Sequence, residues 1–214
     1  MNADVLIAAR GGQAAKSRLA GRLDHDQRDA LVEAMLADML AALAACPAVL
    51  RTHVTTPTPA LARLAARSGA VVYLEREDGD LNGAFERARR RIAAVDPDTT
   101  LVLLPGDLPR LEADDVEQCL EGVAPDRLVL APASADGGTG ALALAAGIRL
   151  PLAFGPGSFG KHLAAARTLG LTTRVVQAPG LGLDLDRPSD LDTFLALTGR
   201  SRTADLLRGW RAAA

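Results

Sequence analysis

"LVLLPGDLPRLEADDVEQCL", residues 101–120, decides the fold. Its first four residues are all apolar, which predicts a short strand buried on both faces. The Pro-Gly and Leu-Pro pairs that follow predict that the chain stops and turns. The acidic segment after them has the pattern of a helix. The buried strand therefore ends by presenting one carboxylate, Asp107. A charged group just after a fully apolar strand suggests a function for that group.

Strand-like and helix-like segments alternate along almost the whole chain. Strands are predicted at 3–9, 51–56, 70–74, 100–104, 127–133, 139–146 and 172–178, and helices at 24–46, 59–69, 81–95, 113–123, 158–170, 188–199 and 200–214. This alternation predicts an α/β fold with a mostly parallel sheet covered by helices on both faces. Ligands of such sheets bind outside the carboxyl ends of the strands. Asp107 lies at such an end, so we predict that it faces a ligand.

The composition limits the classes of function. Of the 214 residues, 49% are hydrophobic and 3% aromatic, and the formal net charge is -2. This charge disfavours nucleic acid and anionic membranes as partners, and the scarcity of aromatics disfavours base stacking. Cys46 and Cys119 lack metal-type spacing and fit buried thiols in a reducing compartment. Without a signal peptide or an apolar stretch of about 18 residues, a cytoplasmic protein is expected.

A second acidic site follows in "GLGLDLDRPSDL", residues 180–191. Asp184 and Asp186 lie two residues apart, so in an extended segment both carboxylates share one side and Leu185 takes the other. Two such charges repel by roughly 4 kcal/mol at about 4 Å and an effective dielectric of about 20. A cation relieves this repulsion, and hard oxygen ligands favour Mg²⁺. With Asp107 the sequence predicts a three-carboxylate Mg²⁺ site; in the alternative interpretation, Asp186 caps the following helix and Asp184 is only solvated.

A glycine-rich basic loop, "ARGGQAAKSRL" (9–19), comes directly after the first strand. Its glycines allow the backbone to approach phosphate closely, and Arg10, Lys16 and Arg18 supply positive charge. It is not a Walker A sequence, because the pattern G-x-x-x-x-G-K-[ST] is absent. Its position favours nucleotide phosphates as the ligand, whereas a plain surface loop is the alternative.

Two further loops combine glycines with a hydroxyl group. "ADGGTGALAL" (135–144) contains Thr139, and "FGPGSFGKHLAAA" (154–166) contains Ser158. Ser158 stands at the start of a predicted helix, whose first backbone N–H groups would be free to bind an anion. The alternative is a helix cap with turn glycines. His162, in the same helix, is a further candidate for the anion site.

Together these motifs resemble one family. "AAKSRLA", "PGDLP", "DGGT", "FGPGSFGKHLAAA" and "PGLGLDLDRPSDL" occur in the order and spacing typical of the 2-phospho-L-lactate guanylyltransferases of coenzyme F420 biosynthesis. The resemblance implies a Rossmann-like fold similar to that of nucleotide-diphospho-sugar transferases. It also implies Mg²⁺-dependent transfer of GMP from GTP to 2-phospho-L-lactate, phosphoenolpyruvate or 3-phospho-D-glycerate, with release of pyrophosphate.

The resemblance assigns roles to individual residues and to segments. The implied metal ligands are Asp107, Asp184 and Asp186, the acceptor ligands Thr139, Gly155 and Ser158, and the catalytic residues Lys16 and Asp107. The expected nucleotide-binding residues are Arg10, Gly11, Gly12, Lys16, Arg18 and Asn82. One domain over residues 1–214 is expected, with a nucleotide-binding half at about 1–130, an acceptor and metal half at about 131–200, and a C-terminal helix at 201–214. A homodimer is left open.

Two positions depart from the family pattern. Arg10 replaces the usual lysine, and its planar guanidinium can still pair with phosphate. Gly140 replaces the usual asparagine and so removes an amide beside the expected acceptor site, which bears on the identity of the acceptor. The competing interpretations are a nucleotidyltransferase for another acceptor, such as a molybdopterin or a sugar phosphate, and a catalytically inactive nucleotide-binding subunit. The presence of the three aspartates and Lys16 disfavours the inactive subunit.

Overall fold

The computed structural model describes residues 2–12, 15–75, 80–133 and 137–213, so Asp136 of the DGGT motif lies outside the described residues. The strands are β1 (Ala3–Ala8), β2 (Val49–Thr56), β3 (Val71–Leu74), β4 (Leu101–Pro105), β5 (Arg127–Pro132), β6 (Thr139–Leu144) and β7 (Thr172–Val175). The helices are α1 (His25–Ala44), α2 (Pro59–Arg67), α3 (Leu81–Val95), α4 (Ala113–Leu120), α5 (Ser158–Thr168), α6 (Pro179–Gly182), α7 (Pro188–Leu197) and α8 (Arg202–Ala213). None of these helices combines the length and the apolar character needed to cross a membrane.

The described strands form one seven-stranded sheet in the order β3-β2-β1-β4-β6-β5-β7. Neighbouring strands are parallel except around β6, which runs antiparallel to both β4 and β5. The predicted α/β fold with a mostly parallel sheet is therefore confirmed. From β1 the chain builds outward to β2 and β3 and then returns to place β4 on the other side of β1. The carboxyl ends of β1 and β4 thus form the switch point, where sheets of this kind bind ligands.

Both faces of the sheet are buried, which explains why its central strands are mostly apolar; the buried Asp4 of β1 departs from this pattern and is paired with Arg51 and His53. Along β1, Val5 and Ile7 belong to one core, whereas Leu6 belongs to the core on the opposite face. Helix α1 contributes Leu31 to the first core, and helix α3 contributes Phe85 to the second. A strand covered on both faces favours apolar residues at successive positions rather than only at alternate ones.

Two helix boundaries follow from local sequence. Asp24 accepts a hydrogen bond from the backbone N–H of Gln27 at 2.8 Å, and the Gln27 side chain accepts one from the backbone N–H of Asp24 at 3.0 Å. This reciprocal pair satisfies N–H groups that the start of α1 would leave open. Helix α2 ends at Arg67, and Gly69, two residues later, has a φ of +82° in the left-handed region, which is typical of a glycine that follows a helix end.

The turn after β4 brings Asp107 to the end of β1. The backbone N–H of Gly106 donates to the carbonyl oxygen of Ala8 at 2.9 Å, so the chain leaving β4 stays against its neighbour. A Cβ atom on Gly106 would lie 2.7 Å from the Cα atom of Ala9. Only glycine allows so close an approach of two backbones. The Pro-Gly-Asp turn therefore presents Asp107 at the switch point.

The segment that carries the acidic pair begins differently from the sequence-based expectation. Residues Pro179–Gly182 form the short helix α6, which the sequence did not predict. After this helix, Leu185 is fully buried, while Asp184 and Asp186 on either side of it are partly exposed. The predicted alternation of buried and exposed side chains is therefore present over residues 184–186.

The alternative in which Asp186 caps helix α7 is wrong. Asp190 caps the helix instead, because its Oδ2 atom accepts hydrogen bonds from the backbone N–H groups of Asp186 and Arg187 at 3.0 and 2.6 Å. The side chain of Asp186 instead accepts a hydrogen bond from Lys16. An acidic residue in the first turn also interacts favourably with the helix dipole.

Gly140 in β6 allows α6 to lie against the sheet. A Cβ atom at this position would overlap the carbonyl oxygen of Leu181. On the other side of α6, the buried Asp115 accepts a hydrogen bond from the backbone N–H of Gly180 at 3.4 Å. The space in which the family's usual asparagine would stand is therefore taken by the chain that leads to Asp184. Glycine is thus required at position 140 by the packing of α6 against β6, which the sequence did not reveal.

We expect Gly140→Ala to destabilise the protein by about 2 kcal/mol or more, because overpacking against backbone forces a shift of α6. Gly209→Ala is the matched control, since a Cβ atom at Gly209 meets nothing within 4 Å, and in helix α8 it should be neutral or stabilising. Denaturant unfolding of both variants measures the difference. Equal stabilities of the two variants would contradict the packing role of Gly140.

Candidate active site

Two adjoining cavities open at the switch point. The larger, of about 360 Å³, is lined on one side by Thr139 and Gly155. The smaller, of about 220 Å³, is lined by Arg10 and by apolar side chains such as Met35. The two cavities share part of their walls, namely Lys16, Leu81, Pro105, Asp107 and Asp186. A ligand in one cavity would therefore lie next to a ligand in the other, with charged side chains between them.

Three carboxylates converge where the cavities meet. One oxygen atom from each of Asp107, Asp184 and Asp186 lies within 4.8 Å of the other two. The end of β4 supplies the first carboxylate, and the segment after α6 supplies the others. Burial, followed by the negative charges of Asp107 and Asp186, raises the pKa of Asp184 to about 6. The structure thus brings together the residues that the sequence grouped, although their role as metal ligands stays a prediction.

Lys16 lies between two of these carboxylates. Its Nζ atom is 2.7 Å from Asp107 Oδ2 and 2.6 Å from Asp186 Oδ1. Burial by itself favours the neutral amine, but the two carboxylates outweigh it and raise the pKa of Lys16. The backbone of Lys16 has a φ of +50°, which is uncommon for a residue other than glycine. This backbone conformation carries the ammonium group into the acidic cluster.

The three carboxylates fit a divalent metal ion. Asp184 Oδ1 is buried and has no hydrogen-bond partner in the part of the chain that the structure describes. A buried polar atom without a partner is costly, and a bound cation would remove that cost. Carboxylate oxygens are the ligands that hard divalent cations prefer. The cluster could therefore hold such an ion.

The glycines of the first loop do not offer their N–H groups to the cavity. The backbone N–H of Gly11 donates to Thr58 Oγ1 at 3.1 Å, and that of Gly12 donates to Asp29 Oδ1 at 3.0 Å. Both N–H groups are thus engaged within the protein, and phosphate binding by these glycines stays a prediction. Arg10 does line the smaller cavity. Sequence reasoning missed Thr58 and Asp29, because nothing near them in the chain marks them as partners of a distant loop.

On the acceptor side, the expected residues divide into two groups. Thr139 and Gly155 line the larger cavity, whereas Ser158 is fully buried behind it and its hydroxyl donates to Thr139 Oγ1 at 3.0 Å. The first N–H groups of α5 are also occupied, since Ser158 donates to the Gly155 carbonyl and Phe159 to the Gly137 carbonyl. The first two N–H groups of this helix are thus engaged within the protein, and an anion site at the helix start stays a prediction.

Asn82 holds a loop rather than lining either cavity. Its amide nitrogen donates to the carbonyl oxygen of Phe154 at 3.0 Å, and its amide oxygen accepts from the backbone N–H of the same residue at 2.6 Å. The expected contact of Asn82 with nucleotide stays a prediction. The contact it makes fixes the backbone directly before Gly155, which does line the larger cavity.

Comparison with known proteins agrees with this arrangement. The family described as Guanylyl transferase CofC like matches residues 3–212. The chain belongs to this family. The resemblance inferred from the sequence motifs is thereby confirmed, and as a member of the CofC-like family the chain is a nucleotidyltransferase.

Two curated relatives are similar over most of their length. A 3-phospho-D-glycerate guanylyltransferase from Phenylobacterium zucineum is 47% identical, covering 98% of this chain and 99% of the relative. A phosphoenolpyruvate guanylyltransferase from Sphaerobacter thermophilus is 38% identical, covering 83% of this chain and 85% of the relative. Both names describe GMP transfer to a phosphorylated three-carbon acid by the relative in question.

Solved structures share the CofC-like fold at low sequence identity. A protein from Desulfovibrio desulfuricans assigned as a nucleotide-diphospho-sugar transferase has a TM-score of 0.76 at 20% identity, covering 99% of this chain and 96% of that one. A nucleotidyl transferase from Methanothermobacter has a TM-score of 0.68 at 17% identity, covering 92% of this chain and 100% of that one. They confirm the expected nucleotide-diphospho-sugar-transferase-like fold.

We expect Lys16→Met to bind a divalent cation more tightly than the unmodified protein when no nucleotide is present. The cation no longer has to displace the ammonium group from two charge-assisted hydrogen bonds, which corresponds to a gain of about tenfold or more. Mn²⁺ titration, followed by electron paramagnetic resonance of the free ion, measures this affinity.

Arg18→Met is the matched control for this titration. It also removes one positive charge near the cluster, but Arg18 is more than half exposed and lies 3.7 Å from Asp186 Oδ2. Its loss should change the affinity for Mn²⁺ much less, because exposed ion pairs are weak. Unchanged or weaker Mn²⁺ binding by Lys16→Met would show that the ammonium group does not compete with the cation.

Proposed function

We propose that the protein transfers GMP from GTP to a small phosphorylated three-carbon acid, with release of pyrophosphate, as a step of coenzyme F420 biosynthesis. The observation that supports this most is the convergence of three carboxylates on one another, two of which, together with Lys16, lie in the wall shared by the two cavities. The names of the curated relatives support GTP as the donor and 3-phospho-D-glycerate or phosphoenolpyruvate as the acceptor; 2-phospho-L-lactate belongs to the same chemical class.

We assign one of the two cavities to each substrate. In this proposal, the phosphates of GTP lie along the first loop, where Arg10 and Lys16 supply positive charge on the side of the smaller cavity. The acid lies in the larger cavity against Thr139 and Gly155. This division matches a nucleotide-binding half at about 1–130 and an acceptor half at about 131–200. Mg²⁺ is the proposed cation, held by the three carboxylates, because they are hard oxygen ligands.

The reaction needs charge neutralisation more than proton transfer. A phosphate oxygen of the acid forms a bond to the α-phosphorus of GTP, while the bond from that phosphorus to the bridging oxygen of pyrophosphate breaks. Both partners are anions, and a cation at the three carboxylates supplies positive charge that lowers their repulsion. Lys16 and Arg10 line the smaller cavity and would stabilise the departing pyrophosphate. A phosphate dianion already has a free nucleophilic oxygen, so no side chain has to act as a general base.

A competition assay tests the proposed function. The protein is incubated with GTP, ATP, Mg²⁺ and an equal mixture of 3-phospho-D-glycerate, phosphoenolpyruvate and 2-phospho-L-lactate, and the products are identified by mass spectrometry. We expect a guanylylated three-carbon acid and one equivalent of pyrophosphate, both abolished by EDTA. The absence of any nucleotidylated acid, or transfer to a sugar phosphate added in a second mixture, would contradict the proposal.

Asp107→Asn should reduce GMP transfer by about a thousandfold or more while the fold is kept. A metal ion contributes several kcal/mol of charge stabilisation, and about 1.4 kcal/mol corresponds to a tenfold change in rate. Asp114→Asn, an exposed change of the same charge in helix α4, is the control and should leave the rate unchanged. Near-normal transfer by Asp107→Asn would refute the proposed role of this carboxylate.

A further inference from the structure

Three polar side chains form a hydrogen-bonded chain at the wall of the larger cavity. Ser158 and His162 are 0% exposed, and Thr139 is 4% exposed. Thr139 Oγ1 lies 3.0 Å from Ser158 Oγ and 2.9 Å from His162 Nδ1. Of these three residues, Thr139 is the one that lines the cavity. Through their hydrogen bonds to Thr139, the other two can act on a ligand without touching it.

The backbone determines which ring nitrogen of His162 carries the hydrogen. The N–H of Ala153 lies 3.0 Å from His162 Nε2, and a backbone N–H can only donate. Nε2 is therefore the unprotonated nitrogen of a neutral ring, and the hydrogen sits on Nδ1. Burial, followed by the charge of Lys161, lowers the pKa of His162 to about 4, so the ring stays neutral near pH 7.

The Thr139 hydroxyl then receives two hydrogen bonds. The Nδ1–H of His162 donates to Thr139 Oγ1, and so does the hydroxyl of Ser158. The opposite direction of the second bond would bury the Ser158 hydrogen without an acceptor, because its partner within the described ranges is Thr139, and such a loss is costly. A hydroxyl group has two lone pairs and one hydrogen. With both lone pairs engaged, Thr139 can interact with a ligand only as a donor.

We propose that His162 is a positioning residue that, together with Ser158, fixes the Thr139 hydroxyl as a hydrogen-bond donor to an anionic oxygen of the acceptor. This inference rests on the proposed function, because it takes the larger cavity as the acceptor site. A freely rotating hydroxyl would serve as donor or acceptor. A fixed donor favours carboxylate or phosphate oxygens, with which it forms a charge-assisted bond, over groups that can only donate. The arrangement therefore contributes to the selection of acidic acceptors.

His162 also holds the loop before Gly155, and this second role needs a control. Its Nε2 atom holds Ala153, while Asn82 holds the next residue, Phe154, by two hydrogen bonds. Asn82 thus shares the loop-holding role of His162 but makes no hydrogen bond to Thr139. A comparison of variants at the two positions separates the effect on the loop from the effect on the hydroxyl.

Steady-state kinetics of Thr139→Val, His162→Phe and the double variant test the proposal. Each single change should raise the KM for the three-carbon acid about tenfold and the KM for GTP less than about twofold, because one charge-assisted hydrogen bond is lost. The loss in the double variant should be much smaller than the product of the two single losses, since both changes remove the same interaction. Losses that multiply in the double variant, or a KM for GTP that rises as much as that for the acid, would overturn the proposal.

Two further variants keep the result interpretable. His162→Asn retains an N–H donor near the position of Nδ1, so its KM for the acid should lie closer to the wild-type value than that of His162→Phe. Asn82→Ala should combine multiplicatively with Thr139→Val, because it loosens the loop without changing the hydrogen bonds of the Thr139 hydroxyl. If His162→Phe does not fold, His162→Asn replaces it in the same comparison: its effect on the KM for the acid is measured with and without Thr139→Val. A His162→Asn variant as impaired as His162→Phe would overturn the positioning role.

The hydrogen-bond direction is measurable without turnover. Long-range proton–nitrogen correlation spectra should show the hydrogen of His162 on Nδ1 near pH 7, and a hydrogen on Nε2 would overturn the proposal.

Lactate and glycerol 3-phosphate, used as competitive inhibitors, show whether Thr139 binds a carboxylate or a phosphate oxygen of the acid. The compound whose inhibition constant rises in Thr139→Val carries the group that Thr139 binds. A rise for neither would also overturn it. Failure of the wild-type protein to guanylylate any acid would instead contradict the proposed function.

Discussion

Mutual repulsion among three carboxylates is the constraint around which the site is built. Asp107, Asp184 and Asp186 lie within 4.8 Å of one another, and each close pair costs roughly 4 kcal/mol at an effective dielectric of about 20. The buried sheet and the anchored helix α6 hold them together against this cost. Lys16 reduces the repulsion with its ammonium group. A site with this excess of negative charge attracts a cation, and a cation is what two phosphorylated substrates need between them.

The loops around the site are held by polar side chains that do not line the two cavities. Thr58 and Asp29 hold the first loop, and Asn82 and His162 hold the loop before Gly155. His162 is buried, and the other three are partly exposed. Each of these hydrogen bonds joins a side chain to a backbone group far away or on another element. Such bonds reduce the number of loop conformations before a substrate arrives, and pre-organisation of this kind lowers the cost of binding.

A large part of this molecule was predictable because the relevant signals are local. An apolar run followed by Pro-Gly-Asp predicts a buried strand that ends at a carboxylate, and the structure has β4 followed by Asp107. The spacing of Asp184 and Asp186 around Leu185 predicts two carboxylates on one side of the chain, as found. The rule that ligands bind at the carboxyl ends of parallel strands then connected these distant segments. Helix α6 was missed, because four residues with two glycines show no helical period.

The order of residues therefore determined the strands and helices, the turn at Asp107 and the set of charged groups at one edge of the sheet. It did not determine which polar atoms stay available to a ligand. Gly11, Gly12, Ser158 and Asn82 all look like ligand-binding residues in the sequence, yet their polar groups bond to other parts of the protein. In the sequence, Gly140 only lacks the side-chain amide of the family's usual asparagine, yet in the structure it makes room for the carbonyl oxygen of Leu181. Periodicity and turn chemistry act between neighbours in the chain, whereas the pairing of buried polar groups depends on distances between residues that only the folded chain brings together.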